Sequence, residues 1–175
     1  ILDSLGIDKN KPEKQQRNQT GSPILEEGDI LLNTTLAETS DWQQVDLPVV
    51  STLRHFCIET LSSYTEDNQA CISEVDLLDD KGQPIDKTKW EVVYVSSEQA
   101  DKNLGIAENL FDGDISSFWH TDPATEPGQP HRIIVDIKEI YKISALRFKV
   151  RKGAFLSGKV KEINVYGRPQ FFLFH

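Results

Sequence analysis

Short apolar runs separated by turn residues make up most of the chain from Ile24 onward. The runs are rich in Val, Ile, Phe and Tyr, which suit a pleated, half-buried surface. Over residues 146–151, Leu, Phe and Val alternate with Arg, Lys and Arg, which predicts a strand with one buried and one wet face. The predicted strands are Ile30–Leu36, Trp42–Leu47, Leu53–Leu61, Ala70–Leu78, Trp90–Val95, Arg132–Ile137, Ile143–Val150, Val160–Tyr166 and Phe171–Phe174.

Helical periodicity is weak, and only Ile106–Phe111 predicts a turn or so of helix. Nine or ten short strands joined by Gly, Pro and Asp turns indicate an all-β fold, a jelly-roll β-sandwich. The polar segment 1–22 is expected to be a linker or the end of a preceding region. Residues 23–175 are then expected to form a single sandwich domain.

The charge balance narrows the range of functions. The 175 residues carry 28 acidic and 19 basic side chains, a formal net charge of −9. This excess disfavours nucleic acid and anionic lipid as partners, because both require a basic face. No apolar run approaches the ~20 residues of a membrane span. Because the sequence contains neither methionine nor a recognisable catalytic motif, we expect a non-catalytic piece of a longer chain.

The loop at residues 112–117 has the composition of a cation site. Asp112 and Asp114 flank Gly113, and the Ser117 hydroxyl follows three residues later. Crowded oxygen ligands suit calcium, and glycine lets the chain turn sharply around an ion. A metal-free Asp-Gly turn closed by a side-chain hydrogen bond is the other interpretation of this spacing.

Three stretches carry a family resemblance. Residues 107–121 read AENLFDGDISSFWHT, residues 130–151 read PHRIIVDIKEIYKISALRFKVR, and residues 158–167 read GKVKEINVYG. Together they resemble the discoidin or F5/8 type C domain, in particular the bacterial family 32 carbohydrate-binding modules. The resemblance implies a galactose-binding-like β-sandwich.

The order of the segments departs from that family. Residues 53–79 resemble the strands that usually close such a domain, yet here they precede the Asp-Gly-Asp loop. Either the domain is circularly permuted, or residues 24–79 are the tail of a preceding copy. We favour permutation, because one unit can then close one sandwich with its termini adjacent.

The resemblance also implies ligand sets. It implies a structural calcium held by Asn109 (through its carbonyl), Asp112, Asp114, Ser117 and Glu74. For a sugar, His120 and Arg151 fall on the family's histidine and arginine. Asn103 and Ser157 stand where the family has glutamate and asparagine, and Tyr64 and Phe155 are candidate stacking surfaces. A structural role for His120 beside Trp119 is the alternative.

The two cysteines flank a predicted hairpin. Cys57 and Cys71 are equally spaced about Tyr64, which would place them opposite each other on paired strands. A cross-strand disulfide and two buried free thiols both fit this spacing.

These observations predict a calcium-stabilised, non-catalytic carbohydrate-binding module that targets a larger secreted or surface protein to glycans. The expected partners are a glycan or glycoprotein and other domains of the parent chain. The expected location is extracellular, periplasmic or at the cell surface. The alternative is a protein-interaction or assembly module of the same fold without a functional sugar site.

Overall fold

The computed structural model describes residues 17, 19, 21–65, 67–124, 128–151 and 157–175. Within them the regular structure is antiparallel strands and short 3₁₀ helices, with no α-helix, so the predicted all-β class is confirmed. The strands are β1 (Ile30–Thr35), β2 (Gln43–Thr60), β3 (Cys71–Ile72), β4 (Glu74–Asp79), β5 (Glu91–Val95), β6 (Trp119–His120), β7 (His131–Lys149) and β8 (Glu162–Arg168). The 3₁₀ helices are Glu27–Asp29, Asp101–Asn103 and Ala107–Phe111.

Two long strands, β2 and β7, organise the fold. Each joins two of the predicted runs, and they pair along almost their whole length. The sheet order is β1-β8-β2-β7-β4, with β5 also paired to β7, while β3 and β6 form a separate two-stranded sheet. The register shifts between Asp46 and Ser51 and again between Leu53 and His55. Such irregularities bend a sheet. Buried apolar side chains from its strands form one common core.

The strands before and after the Asp-Gly-Asp loop belong to one sheet. β1 pairs with β8, β4 pairs with β7, and β2 lies between β7 and β8. Residues 30–79 therefore supply strands to the sheet that also contains the discoidin-like stretches at 131–168. The circular permutation itself stays a prediction.

Local alternation predicted the faces of the sheet correctly. Leu146, Phe148 and Val150 are buried, whereas the three basic residues between and after them are partly exposed. The short strand β6 was not predicted. Around Phe174 the structure has an isolated bridge to Pro23 in place of the expected strand. The segment covers a small outer cluster of Cys57, Ile134, Tyr166 and Phe172.

The predicted hairpin between the cysteines is wrong. Cys57 on β2 lies between Ile134 and Tyr166, while Cys71 on β3 faces His120. Both are buried free thiols. Spacing about a central residue fails here because β2 takes its neighbours from β7 and β8, far away in the sequence.

Most of the expected linker at 1–22 lies outside the described residues. Arg17, which is described, pairs with Glu98 (2.7 Å) and Glu108 (2.5 Å), and the Gln19 side chain hydrogen-bonds the backbone of Val95. These two residues thus pack against the domain. A search of the described residues finds no helix with the length and apolar character needed to cross a membrane.

Candidate functional site

His120 lies in a tightly packed corner where β6 meets the loop before it. Its backbone N–H donates to the Gly105 carbonyl (3.1 Å), and its carbonyl accepts from the Gln99 N–H (2.8 Å). A Cβ atom at Gly105 would come within 2.9 Å of the His120 Cβ, so a glycine is needed at this close approach. The backbone of the corner therefore fixes the position of the imidazole.

Both ring nitrogens of His120 have partners within the protein. Nδ1 lies 2.5 Å from the Thr121 carbonyl, and Nε2 lies 2.7 Å from the Ser157 hydroxyl. Burial lowers the pKa of His120, and the nearby positive charge of Arg151 acts in the same direction. The neutral imidazole thus donates from Nδ1 and accepts from Ser157 at Nε2. With 3 % of its surface exposed, His120 is placed to orient Ser157.

Arg151 lies beside His120, just after the end of β7. Its guanidinium carbon is 4.0 Å from the centre of the Phe118 ring, and its charge acts to lower the pKa of the nearby Cys71 thiol, against the larger effect of burial. Phe118 in turn meets His120 edge to face. Among the described residues no carboxylate forms an ion pair with this guanidinium, so its planar set of N–H donors suits a polar ligand.

Asp67 joins this group although sequence reasoning missed it. Its carboxylate accepts from the Thr65 hydroxyl (2.9 Å) and from the N–H groups of Gln69 and Gly158 (3.2 Å each). Burial acts to raise its pKa, but these hydrogen bonds prevail and hold the pKa below the usual range. The carboxylate is close enough to His120 to favour the charged imidazole. The only sequence signal was a cluster of small hydroxyl residues at 62–65.

Asp67, His120, Arg151 and Ser157 are called the Arg151 cluster below. A serine hydroxyl that donates to histidine Nε2 also occurs in nucleophilic catalysis. Acyl transfer needs N–H donors aimed at a developing oxyanion as well. The Gly158 N–H beside Ser157 is instead donated to Thr65 and Asp67. The arrangement offers fixed donors and acceptors, which suits binding better than bond cleavage.

The other predicted sugar-site residues lie in different surroundings. Asn103 has a left-handed backbone (φ 58°) and belongs to the loop that contacts His120 through Gly105. The Tyr64 hydroxyl donates to the Leu36 carbonyl (2.8 Å), and its ring lies near the Lys161 ammonium. Phe155 is outside the described residues.

The Asp-Gly-Asp loop forms the hydrogen-bonded turn expected from its sequence. Asp112 accepts from the Asp114 N–H (2.9 Å) and from the Ser117 hydroxyl (2.6 Å). Asp114 accepts from the N–H and hydroxyl of Ser116. Gly113 has φ +80°, a conformation that other residues adopt only with strain.

Glu74 and Asn109 tie this loop to the rest of the domain. Glu74 reaches across from β4, where its Oε2 accepts from the Gly113 N–H (3.1 Å) and pairs with Lys87. The Asn109 amide donates to the carbonyls of Asn103 (3.2 Å) and Phe118 (3.1 Å), so it links the loop to the neighbourhood of Arg151. Glu74 therefore contacts the loop that carries Asp112, Asp114 and Ser117, and Asn109 lies just before that loop.

The loop fits a hard cation in its donor chemistry. Glu74 is 1 % exposed, and its Oε1 has no hydrogen-bond partner. Burial raises the pKa of Glu74 to about 7, and the charge of Asp112 acts in the same direction. The ion pair with Lys87 and the hydrogen bond from the Gly113 N–H act to lower this pKa. Within the described part of the chain, no three His, Cys, Asp or Glu side chains form a metal-binding group. A calcium ion would therefore need hydroxyl, carbonyl and water ligands besides Glu74 and Asp112.

Comparison with known proteins supports the resemblance found in the sequence. Residues 92–170 match the family described as F5/8 type C domain. A sialidase from Micromonospora viridifaciens is 33 % identical over 84 residues. That match covers 47 % of this chain and 13 % of the sialidase, so it concerns a small part of that protein.

The matched region contains Arg151, His120, Ser157 and the Asp-Gly-Asp loop, whereas Asp67 and Glu74 lie before it. The predicted discoidin resemblance is confirmed, as is the galactose-binding-like β-sandwich that this domain family adopts. F5/8 type C domains are binding modules, generally without catalytic activity. Over residues 92–170 the chain is therefore similar to a discoidin-type binding domain.

Proposed function

We propose that this chain is a non-catalytic carbohydrate-binding module whose ligand contacts the Arg151 cluster. The observation that carries the proposal is the guanidinium of Arg151, which lies on the Phe118 ring and forms no ion pair with a carboxylate of the described residues. It neighbours His120, whose Nε2 holds the Ser157 hydroxyl. Sugar hydroxyls need donors and acceptors held in place. Arg151 supplies donors, and Asp67 supplies a carboxylate acceptor.

In this proposal His120 is a positioning residue. The neutral imidazole accepts a hydrogen bond from the Ser157 hydroxyl. The lone pairs of the serine oxygen therefore remain available to accept from a sugar hydroxyl. Arg151 can donate to two neighbouring hydroxyls through its planar fork. Asn103, Tyr64 and Phe155 remain candidate ligand-binding residues.

We further propose that the Asp-Gly-Asp loop holds a structural calcium. Glu74 and Asp112 would bind it through their carboxylates, and Ser117, Asp114 and the Asn109 carbonyl are the further oxygen ligands that the resemblance implies. Because no three acidic side chains form a metal-binding group in the described part of the chain, Asp114 would have to move to join the other two carboxylates. When bound, the ion would supply positive charge to oxygens that are otherwise crowded and partly unpartnered. Its expected effect is to stabilise the loop, which Asn109 links to the Phe118 carbonyl.

The biological role proposed for this module is targeting. It would direct a larger secreted or surface protein to a glycan or glycoprotein, in an extracellular, periplasmic or cell-surface setting. The partial match to a sialidase supports the idea of a binding domain within a larger protein. Weak binding is expected from one shallow site, with dissociation constants of about 1 µM to 1 mM, or about −8 to −4 kcal/mol.

A glycan array at fixed calcium, followed by calorimetric titration of the selected glycan, tests the sugar proposal. Arg151→Ala should weaken binding about tenfold or more, because a charged hydrogen-bond donor contributes about 1.5–3 kcal/mol. The Tm should change little, because Arg151 is partly exposed.

Arg147→Ala is the matched control. Arg147 lies on β7, four residues before Arg151, and also places its guanidinium over an aromatic ring, that of Trp42 (5.1 Å). Unlike Arg151, it forms an ion pair with Asp76 of the neighbouring strand β4. Its removal should leave glycan affinity unchanged. Equal affinity of Arg151→Ala and native protein would contradict the proposed site and favour the assembly-module alternative.

A further inference from the structure

Lys87 reaches into the Asp-Gly-Asp loop region from the segment between β4 and β5. Its ammonium pairs with Glu74 Oε2, lies 2.5 Å from Asp76 Oδ1, and donates to the Val75 carbonyl (3.1 Å). The Lys87 side chain is 17 % exposed. A positive charge from the chain itself therefore already contacts the buried carboxylate proposed as a calcium ligand.

We infer that Lys87 is a built-in counter-cation that competes with calcium for Glu74 and so sets the calcium affinity of this loop. This inference rests on the calcium site proposed above. Nothing in the discoidin resemblance predicts it, because Lys87 lies outside the segments that carry the resemblance.

The competition follows from the ligands that the two cations share. Both an ammonium and a calcium ion need carboxylate and carbonyl oxygens. Lys87 forms an ion pair with Oε2 of Glu74, so of the two carboxylate oxygens of this residue Oε1 is the one without a hydrogen-bond partner. A calcium ion bound there would face the ammonium at close range in a poorly solvated site, where like charges repel strongly. Calcium binding therefore requires Lys87 to move.

Asp76 gives Lys87 a second position. This carboxylate is 8 % exposed and also accepts from Arg147 (2.8 Å). An ammonium displaced from Glu74 can stay paired with Asp76, so calcium binding does not strand a buried charge. A surface pocket of about 380 Å³ lies alongside, lined by Lys87, Thr88, Glu108, Phe111, Asp112 and Gly113. It gives an ion access from solvent to Asp112 and to the Lys87 side chain.

The test compares native protein with Lys87→Met, by calorimetric titration with calcium chloride and by Tm in EDTA or in calcium. Lys87→Met should bind calcium about tenfold more tightly, because the competing charge is gone. In EDTA its Tm should fall by about 5 °C or more, since Glu74 is left buried without a counter-charge. Calcium should restore that loss. Lys89→Met, at an exposed lysine of the same segment, should behave like native protein.

A second variant keeps the test decisive if Lys87→Met does not fold in EDTA. In Glu74→Gln/Lys87→Met both charges are removed, so the protein should fold in EDTA and lose its response to calcium. Equal calcium affinity in native protein and Lys87→Met would overturn the role of Lys87 while leaving the calcium site standing. No calcium binding by either protein would overturn the calcium site and this inference together.

Discussion

Glu59 and Glu74 are both buried glutamates on strands, yet their surroundings differ. Glu59 is 5 % exposed, and both its oxygens are satisfied: Oε2 accepts from Arg132 (2.7 Å), and Oε1 accepts from Asn164 (2.9 Å) and Tyr166 (3.3 Å). Glu74 is buried more deeply, but its Oε1 has no partner. Both oxygens of Glu59 therefore have hydrogen-bond partners, whereas one oxygen of Glu74 has none.

The difference follows from which elements supply the donors. Arg132 and Asn164 are the direct cross-strand partners of Glu59 on β7 and β8, so backbone pairing sets their positions. The donors to Glu74 come from Gly113 and Lys87, which lie between regular strands. The hydrogen bonds across paired strands satisfy both oxygens of Glu59. The hydrogen bonds from loop residues leave one oxygen of Glu74 free to bind an ion. Buried acceptors without partners are costly, so such an exception indicates a functional role.

The largest loss of stability is expected from removing Glu59 and the hydrogen bonds that its carboxylate accepts. Glu59→Ala should lower the free energy of unfolding by about 4 kcal/mol, because it strands buried polar groups and removes a charge pair. Chemical denaturation with and without calcium measures this loss. The stability gain from calcium should be the same as in native protein, since Glu59 lies outside the loop region. A changed calcium response in this variant would contradict the separation of the two regions.

A smaller effect is expected from the titration of Glu74. Because burial raises its pKa from 4.5 to about 7, the folded state binds an extra proton between those pH values. The contribution of Glu74 to the free energy of unfolding is therefore fully present below about pH 4.5, and it is lost as the pH rises through 7. The shift corresponds to about 3 kcal/mol.

Unfolding free energies at several pH values in EDTA test this expectation for native protein and Glu74→Gln. The native protein should lose about 3 kcal/mol relative to the variant as the pH rises from 4.5 to 8. Parallel pH profiles for the two proteins would show that Glu74 has no raised pKa. Calcium should reduce the loss in native protein, because a divalent cation favours the ionised carboxylate.

Features that depend on neighbours in the sequence were predicted correctly. The alternation at 146–151 gave the buried and exposed faces of β7, and the residues at 112–117 gave the hydrogen-bonded turn. In both cases the signal lies within a few residues, so backbone periodicity and turn chemistry are sufficient.

Features that depend on distant pairing were missed. Lys87 meets Glu74 across 13 positions and Asp67 meets Gly158 across 91, and no periodic pattern marks either contact. The cysteine hairpin was wrong for the same reason, since the neighbours of β2 are set by topology. The candidate sugar residues came from resemblance, which indicated His120 without showing that both its nitrogens are already bonded.

The smallest loss of stability is expected from removing the Ser157 hydroxyl, which is a hydrogen-bond partner of His120. Like Glu59, His120 has all its polar ring atoms satisfied, so removing one partner should cost stability even without ligand. Ser157→Ala deprives Nε2 of its donor and should lower the free energy of unfolding by about 1 kcal/mol. Ser116→Ala is the control, because its hydroxyl bonds Asp114 at an exposed position and should cost about 0.5 kcal/mol or less.

Glycan titration separates the two roles of Ser157. If His120 orients this hydroxyl toward a sugar, Ser157→Ala should also weaken glycan binding by about fivefold, in line with about 1 kcal/mol for one hydrogen bond. Ser116→Ala should bind as native protein does. A stability loss in Ser157→Ala with unchanged affinity would make the Ser157–His120 pair structural and leave Arg151 and Asp67 as the residues that contact the ligand.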